Sequence, residues 1–97
     1  MTVRQCAIEI LDSCKIPAKL KGYDYLVDAI EMCYNNNDYF YGICKLLYPE
    51  IAKLHNVTGI SVERCIRKAI STGTSKATNQ GFIKACVWFI QKIEKPS

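Results

Sequence analysis

The chain has 97 residues, 49% of them hydrophobic, which is enough for one compact core but not for two, so we expect a single domain over residues 1–97. The longest uninterrupted apolar run, at 85–90, is too short to cross a bilayer, which excludes a membrane-spanning segment. The net charge of +4 equals the excess within residues 45–76, where six basic side chains accompany two acidic ones. A localised basic patch is typical of proteins that bind a phosphate backbone.

Six cysteines raise the question of a disulfide scaffold or a metal site. No signal-peptide pattern precedes them and none forms a CxxC pair, and the chain has one histidine, so neither kind of site is favoured. A reduced cysteine behaves as a small hydrophobe. Five of the six fall on apolar helical stripes: Cys6, Cys14, Cys33, Cys65 and Cys86. We therefore expect reduced cysteines in a cytoplasmic protein that has no metal and no cofactor.

The first two predicted helices are amphipathic. Over residues 3–14 apolar side chains recur at i, i+3, i+4 and i+7, which predicts a helix that ends before Pro17. A second stripe of the same period predicts a helix over about 22–35. Three asparagines follow at 35–37, and because asparagine tolerates left-handed backbone angles, we expect a turn there.

The middle of the chain predicts three more helices. Residues 39–47 have a helical pattern, and Pro49 suits the first position of a fresh short helix over 49–55. A longer helix follows over about 58–72.

The last predicted helix follows a loop at 71–75, which is rich in serine, threonine and glycine. Thr78 is its expected N-cap. Its expected buried residues are Phe82, Ala85, Cys86, Phe89 and Ile93. No strand period competes anywhere. The sequence thus predicts an all-α domain of about six helices with a helix-turn-helix over about 49–72.

Special positions in this motif have mechanical reasons. Ala52 is small where two helices must cross closely, and Asn56 accepts the positive φ that a tight turn needs. Thr58 is the expected N-cap of the second helix. An apolar pair flanks that cap at hydrophobic-staple spacing, Val57 and Val62.

The second helix of the motif has two faces. Its expected core stripe is Val62, Cys65, Ile66, Ala69 and Ile70. The opposite face has chemistry suited to a major groove, because Arg64 can fork onto guanine, Glu63 can accept from cytosine and Ile60 can touch a thymine methyl. We expect these three side chains to contact bases.

Other polar residues around the motif suit the DNA backbone. The expected phosphate contacts are Arg67, Lys68, Ser61, Lys53 and Lys45. The competing interpretation is an ordinary solvated helix on which Glu63 and Arg67 form an i, i+4 ion pair.

In these residues the chain resembles the C-terminal DNA-binding effector domain of stage 0 sporulation protein A, over about residues 10–70 and again over 76–83. The matching stretches are Ile16-Pro17-Ala18, Lys21-Gly22-Tyr23, Tyr25-Leu26, Leu47-Tyr48-Pro49, Ile51-Ala52-Lys53, Val62-Glu63-Arg64, Ile66-Arg67, Thr78-Asn79 and Phe82-Ile83. The resemblance implies a six-helix-type domain of the winged-helix-like or response-regulator effector type. It also implies that the domain acts in the cytoplasm of a spore-former-like bacterium and binds short promoter boxes, often as tandem copies. By position, Arg64 matches the family's guanine-reading arginine, with Glu63 beside it and Arg67 in the same DNA-facing helix.

Three features depart from the family pattern. Ile60-Ser61 stands where the family typically has Ser-Arg, which removes one positive contact. The segment 71–77 is shorter than its counterpart, which in the family helps contacts between protomers or with RNA polymerase. No receiver domain precedes the module in these 97 residues, so if they are the whole protein, we expect that control by phosphorylation of a fused receiver is lost.

Several aromatic residues have two interpretations. We expect His55 to be a half-buried packing residue rather than a ligand, because the sequence places no acidic or cysteine partner beside it. Trp88 is expected to cover the rim of the core, and the alternative is an interface anchor. Three tyrosines are expected to pack the helix junction around Pro49 rather than stack on nucleotides: Tyr39, Tyr41 and Tyr48.

The leading hypothesis is a sequence-specific transcription regulator that binds double-stranded promoter DNA. The rival is a helical protein–protein interaction module that keeps the fold without binding DNA. The exposure and charge of the predicted reading face distinguish the two. We do not expect an enzyme, because no nucleophile–base pair or carboxylate pair shares a helix face with a recognisable role.

Overall fold

The computed structural model describes residues 1–94 and is helical throughout, with no strand in that range. Its five α-helices are α1 (Val3–Ser13), α2 (Lys21–Asn35), α3 (Tyr48–His55), α4 (Gly59–Thr72) and α5 (Asn79–Phe89). The all-α class and all of these helices were predicted, and their ends differ from the predictions by a few residues.

The difference from six helices lies between α2 and α3. The predicted helix over 39–47 is instead a 3-10 turn, Asn37–Tyr41, followed by a π-helical turn, Ile43–Leu47. Gly42 separates the two with an extended φ of −163°, and glycine weakens a continuous helix because its backbone is the most flexible. A further π-helical turn, Ile90–Glu94, follows α5.

The first helix ends as the sequence predicts, and the end of the second differs in one respect. Lys15 adopts a left-handed φ of 64° just after α1, ahead of Pro17. At the end of α2 the turn is present, but the expected left-handed asparagine is wrong. Asn36 is extended, and its side-chain Oδ1 accepts a hydrogen bond from the Asp38 N–H at 3.0 Å. An asparagine side chain can therefore make a turn without positive φ.

Helix α2 is the centre of the fold, because it packs against α1, α3, α4 and α5. Leu26, Ala29 and Ile30 are fully buried in it. Helix α2 approaches α4 closely at Gly22, where an added Cβ would lie 2.0 Å from the backbone oxygen of Cys65. The position of α4 thus depends on a glycine in α2.

The predicted buried face of α5 is only partly correct. Phe82 and Cys86 are buried, but three predicted core residues are exposed: Ala85, Phe89 and Ile93. Their places are taken by Ile83, Val87 and Ile90. Because α5 is apolar on several sides, its sequence does not define one stripe, and packing against α2 selects the face.

Three of the cysteines are core residues, as predicted: Cys6, Cys33 and Cys86. Burial raises the pKa of Cys33 to about 11 and that of Cys86 to about 12, so both thiols stay neutral at physiological pH. Cys14 and Cys65 are half-buried and Cys44 is exposed.

The three tyrosines do not act together. Tyr48 is buried next to Pro49 and Tyr39 is partly buried, but Tyr41 is 89% exposed, so its expected packing role is wrong. Within the described part of the chain no helix is long and apolar enough to cross a membrane, and no cluster of three metal-ligating side chains occurs.

Candidate nucleic-acid interface

The turn between α3 and α4 has the geometry that the sequence predicts. Asn56 follows α3 in the left-handed region, at φ 55° and ψ 49°. The Val57 N–H then donates to the carbonyl of Ala52 at 3.0 Å, which closes the end of α3. Ala52 itself is 5% exposed. The chain therefore turns within a few residues, and α4 packs against α3.

Helix α4 begins at its predicted cap. The Thr58 hydroxyl accepts a hydrogen bond from the Ser61 N–H at 3.1 Å. Val62 is fully buried and Val57 packs against the core from the other side of the cap. These contacts set where α4 starts.

The two faces of α4 are separated as predicted. Its core stripe is buried at Val62, Ile66, Ala69 and Ile70, with Cys65 half-buried. The opposite face is exposed at Ile60, Arg64, Arg67, Lys68 and Ser71. Ile60 is 68% exposed, which is unusual for an isoleucine and leaves an apolar contact available to a partner. We call this exposed set, together with Glu63, the reading face.

The charges of the reading face are not equivalent. Glu63 and Arg67 form the i, i+4 ion pair that was the competing interpretation of this helix. Arg64 and Lys68 form no ion pair with any residue in 1–93. The face therefore has three positive groups and one negative one, and Arg64 is a cation not compensated by a neighbour.

The remaining predicted backbone contacts lie outside the reading face. Lys53 is on α3 with its side chain 77% exposed, and its Nζ lies 3.6 Å from Glu50 Oε1. Lys45 is exposed in the π-helical turn before α3. Ser61 is partly buried at the start of α4, where its backbone N–H is used by the cap.

A side chain from α5 fastens the motif, and sequence reasoning did not identify it. The Asn79 side-chain amide donates to the Tyr48 hydroxyl and to the Glu63 carbonyl, each at 3.2 Å. Burial raises the pKa of Tyr48, and the Asn79 hydrogen bond works in the opposite direction. One amide thus joins α3, α4 and α5. Its sequence signal is its position directly after the N-cap Thr78.

His55 has an acidic partner, which corrects the prediction that none is near. Its Nε2 lies 2.5 Å from Asp28 Oδ2, and its ring meets Tyr25 edge-on at a centroid distance of 4.8 Å. Asp28 is 8% exposed and also accepts from Arg4 at 2.9 Å, a hydrogen bond that raises the Arg4 pKa. The partner comes from α2, 27 residues away, so local sequence could not reveal it. His55 is a packing residue that ties the end of α3 to α2.

Two surface features lie near α5. Trp88, 56% exposed, borders a groove with Phe40, Tyr41 and the buried Val87. Both interpretations of Trp88, a cover over the rim of the core and an interface anchor, stay predictions. A larger cleft, about 650 Å³, lies between α4 and the connector, residues 73–78, which leads to α5. Arg67 belongs both to this cleft and to the reading face.

Comparison with protein families matches this chain to a known family. The family described as "Sporulation initiation factor Spo0A C terminal" matches residues 7–96, which is nearly the whole chain. The match includes the helix-turn-helix, the connector and the last helix. It extends over the segment 71–77, which leads from α4 to α5.

Proposed function

Because the chain belongs to the family of sporulation initiation factor Spo0A C-terminal domains, we propose that it is a sequence-specific regulator of transcription that binds double-stranded promoter DNA. Helix α4 enters the major groove, where Arg64 contacts guanine and Glu63 and Ile60 contact neighbouring bases. Arg67, Lys68, Ser61, Lys53 and Lys45 contact the phosphate backbone. The domain acts in the cytoplasm without catalysis or a cofactor, pairs on tandem boxes and contacts RNA polymerase.

The observation that carries this proposal is the reading face of α4. Arg64 is exposed on the second helix of the helix-turn-helix and has no ion pair with any residue in 1–93. Two N–H donors of its guanidinium group are therefore available to a base. In contrast, Arg67 must share its charge with Glu63 until a phosphate replaces that partner. This difference supports a base-reading role for Arg64 and a backbone role for Arg67.

The test separates base reading from attraction to phosphate. A random duplex library is first used to select a preferred site, and binding to that site and to a scrambled duplex is then measured by fluorescence anisotropy over a series of salt concentrations. Arg64→Ala is expected to weaken binding to the selected site by about 1–3 kcal/mol and to reduce discrimination at one base pair. Lys53→Ala is the matched control and is expected to weaken all duplexes alike, with a salt slope smaller by about one unit.

Two outcomes would contradict the proposal or part of it. If Arg64→Ala weakened selected and scrambled duplexes equally, Arg64 would be a phosphate contact and its base-reading role would be wrong. If the wild-type protein bound no selected duplex better than a scrambled one, the rival interaction module would replace the DNA-binding proposal.

A further inference from the structure

The cleft beside α4 has a second positively charged side, formed by Lys76, which is not among the predicted DNA contacts. On one side it is lined by Arg67 and Ser71 of α4, and on the other by Ser75, Lys76 and Thr78 of the connector. The connector follows α4 directly in the chain.

Both ends of the connector are fastened. The Thr74 N–H donates to the Cys14 carbonyl at 2.8 Å, and a Cβ added at Gly73 would lie 2.5 Å from the same oxygen. At the other end, Asn79 donates to the Glu63 carbonyl at 3.2 Å. Lys76 is therefore presented from a short segment anchored on both sides, which lowers the entropy lost when a ligand binds.

The charge of the cleft favours an anion. Its acidic group, Glu63, is already paired with Arg67. Lys76 is exposed and forms no ion pair with the side chains described, those of residues 1–93. An anion in the cleft would therefore meet an uncompensated ammonium group.

Two hydroxyl groups that line the cleft with Lys76 can donate hydrogen bonds to a ligand. The Ser75 Oγ accepts from the Ala77 N–H at 3.1 Å, and the Thr78 Oγ1 accepts from the Gly81 N–H at 3.1 Å. Each hydroxyl oxygen accepts a backbone hydrogen bond and keeps its own proton to donate. An ammonium group with two hydroxyl donors matches the oxygens of a phosphate.

We propose that this cleft binds a phosphate of the DNA backbone, held by Lys76 with Ser75 and Thr78, next to the groove that α4 reads. The inference rests on the proposed DNA binding, because Arg67 joins the cleft to the reading face. Its role is to fix the register of α4 on the duplex and not to select bases.

The experiment compares charge variants of exposed lysines on the selected and scrambled duplexes. Lys76→Gln is expected to weaken both duplexes about 8-fold at roughly 0.1 M salt and to reduce the salt slope by about 0.9, without changing base discrimination. Lys76→Arg is expected to restore binding because it retains the charge. Lys92→Gln is the matched control, since Lys92 lies 13 residues beyond the start of α5, roughly 20 Å along the helix axis and beyond the Debye length.

The outcomes distinguish this proposal from the function on which it rests. If wild type discriminates between duplexes and Lys76→Gln binds like wild type, the cleft proposal is wrong while the proposed function stands. If wild type itself shows no DNA binding, both are overturned. Inorganic phosphate, added at constant ionic strength, identifies the source of the phosphate. If inorganic phosphate alone bound wild type but not Lys76→Gln in calorimetry, while the two proteins bound DNA equally well, the cleft would be a site for free phosphate and the backbone assignment would be overturned.

Discussion

The approach of α2 to α4 at Gly22 makes a quantitative prediction. In Gly22→Ala the new Cβ would lie 2.0 Å from the Cys65 oxygen and 2.8 Å from the Ala69 Cβ. Both are far inside ordinary van der Waals contact, so the two helices would have to separate by about 1.4 Å at that oxygen. Overpacking against backbone costs about 3 kcal/mol, and alanine regains about 1 kcal/mol through its better helix propensity. The expected net loss is about 2 kcal/mol.

Urea unfolding of the wild type and two glycine variants measures this loss. A net loss of about 2 kcal/mol corresponds to a Tm lower by roughly 8–16 °C for a domain of this size. Gly59→Ala is the matched control, because Gly59 also lies in the first turn of a helix and its added Cβ would meet nothing closer than 3.9 Å. That variant should be as stable as wild type or more stable. Finding Gly22→Ala as stable as Gly59→Ala would refute the claim that this close approach sets the position of α4.

Two further predictions concern the N-cap and a buried thiol. Thr58→Ala should lower the free energy of unfolding by about 1 kcal/mol, because it removes the acceptor of the Ser61 N–H, and an unchanged denaturation midpoint would show that another group caps α4. For Cys33, burial raises the pKa from 9.0 to about 11, so this thiol ionises at a lower pH in the unfolded chain than in the folded one. The contribution of the neutral thiol to stability is therefore complete below pH 9 and is lost as the pH rises to about 11. The difference in unfolding free energy between wild type and Cys33→Ala should therefore narrow by roughly 1.4 kcal/mol per pH unit over that window, and a difference independent of pH would count against a neutral buried thiol.

The helix-turn-helix was predictable because its signals are local. In α4 the polar and apolar positions are cleanly separated, so one period identifies both the core stripe and the reading face. Asn56 and Thr58 act on their own backbone neighbours, and both have the predicted conformation or hydrogen bond. Interactions that span a few residues leave a pattern in the sequence.

Predictions failed where several local solutions have similar energies. Residues 37–47 contain enough apolar side chains for a helix, yet the chain forms two short turns around Gly42. Helix α5 is apolar on more than one side, and its buried row is the one containing Ile83 and Val87. In both cases the neighbouring helices decide which solution buries more surface.

Local patterns in the sequence were enough to predict the helical class, the order of the principal helices and the exposed cations of α4. Each of these features depends on residue type and on a period of three or four residues. Contacts between residues far apart in the chain could be identified only in the tertiary structure. It brought Asp28 to His55, Asn79 to the turn of the motif, and the connector with Lys76 to the side of α4. These contacts join residues 15 or more positions apart or follow from the packing of whole helices, and no local period records which surfaces will pack together.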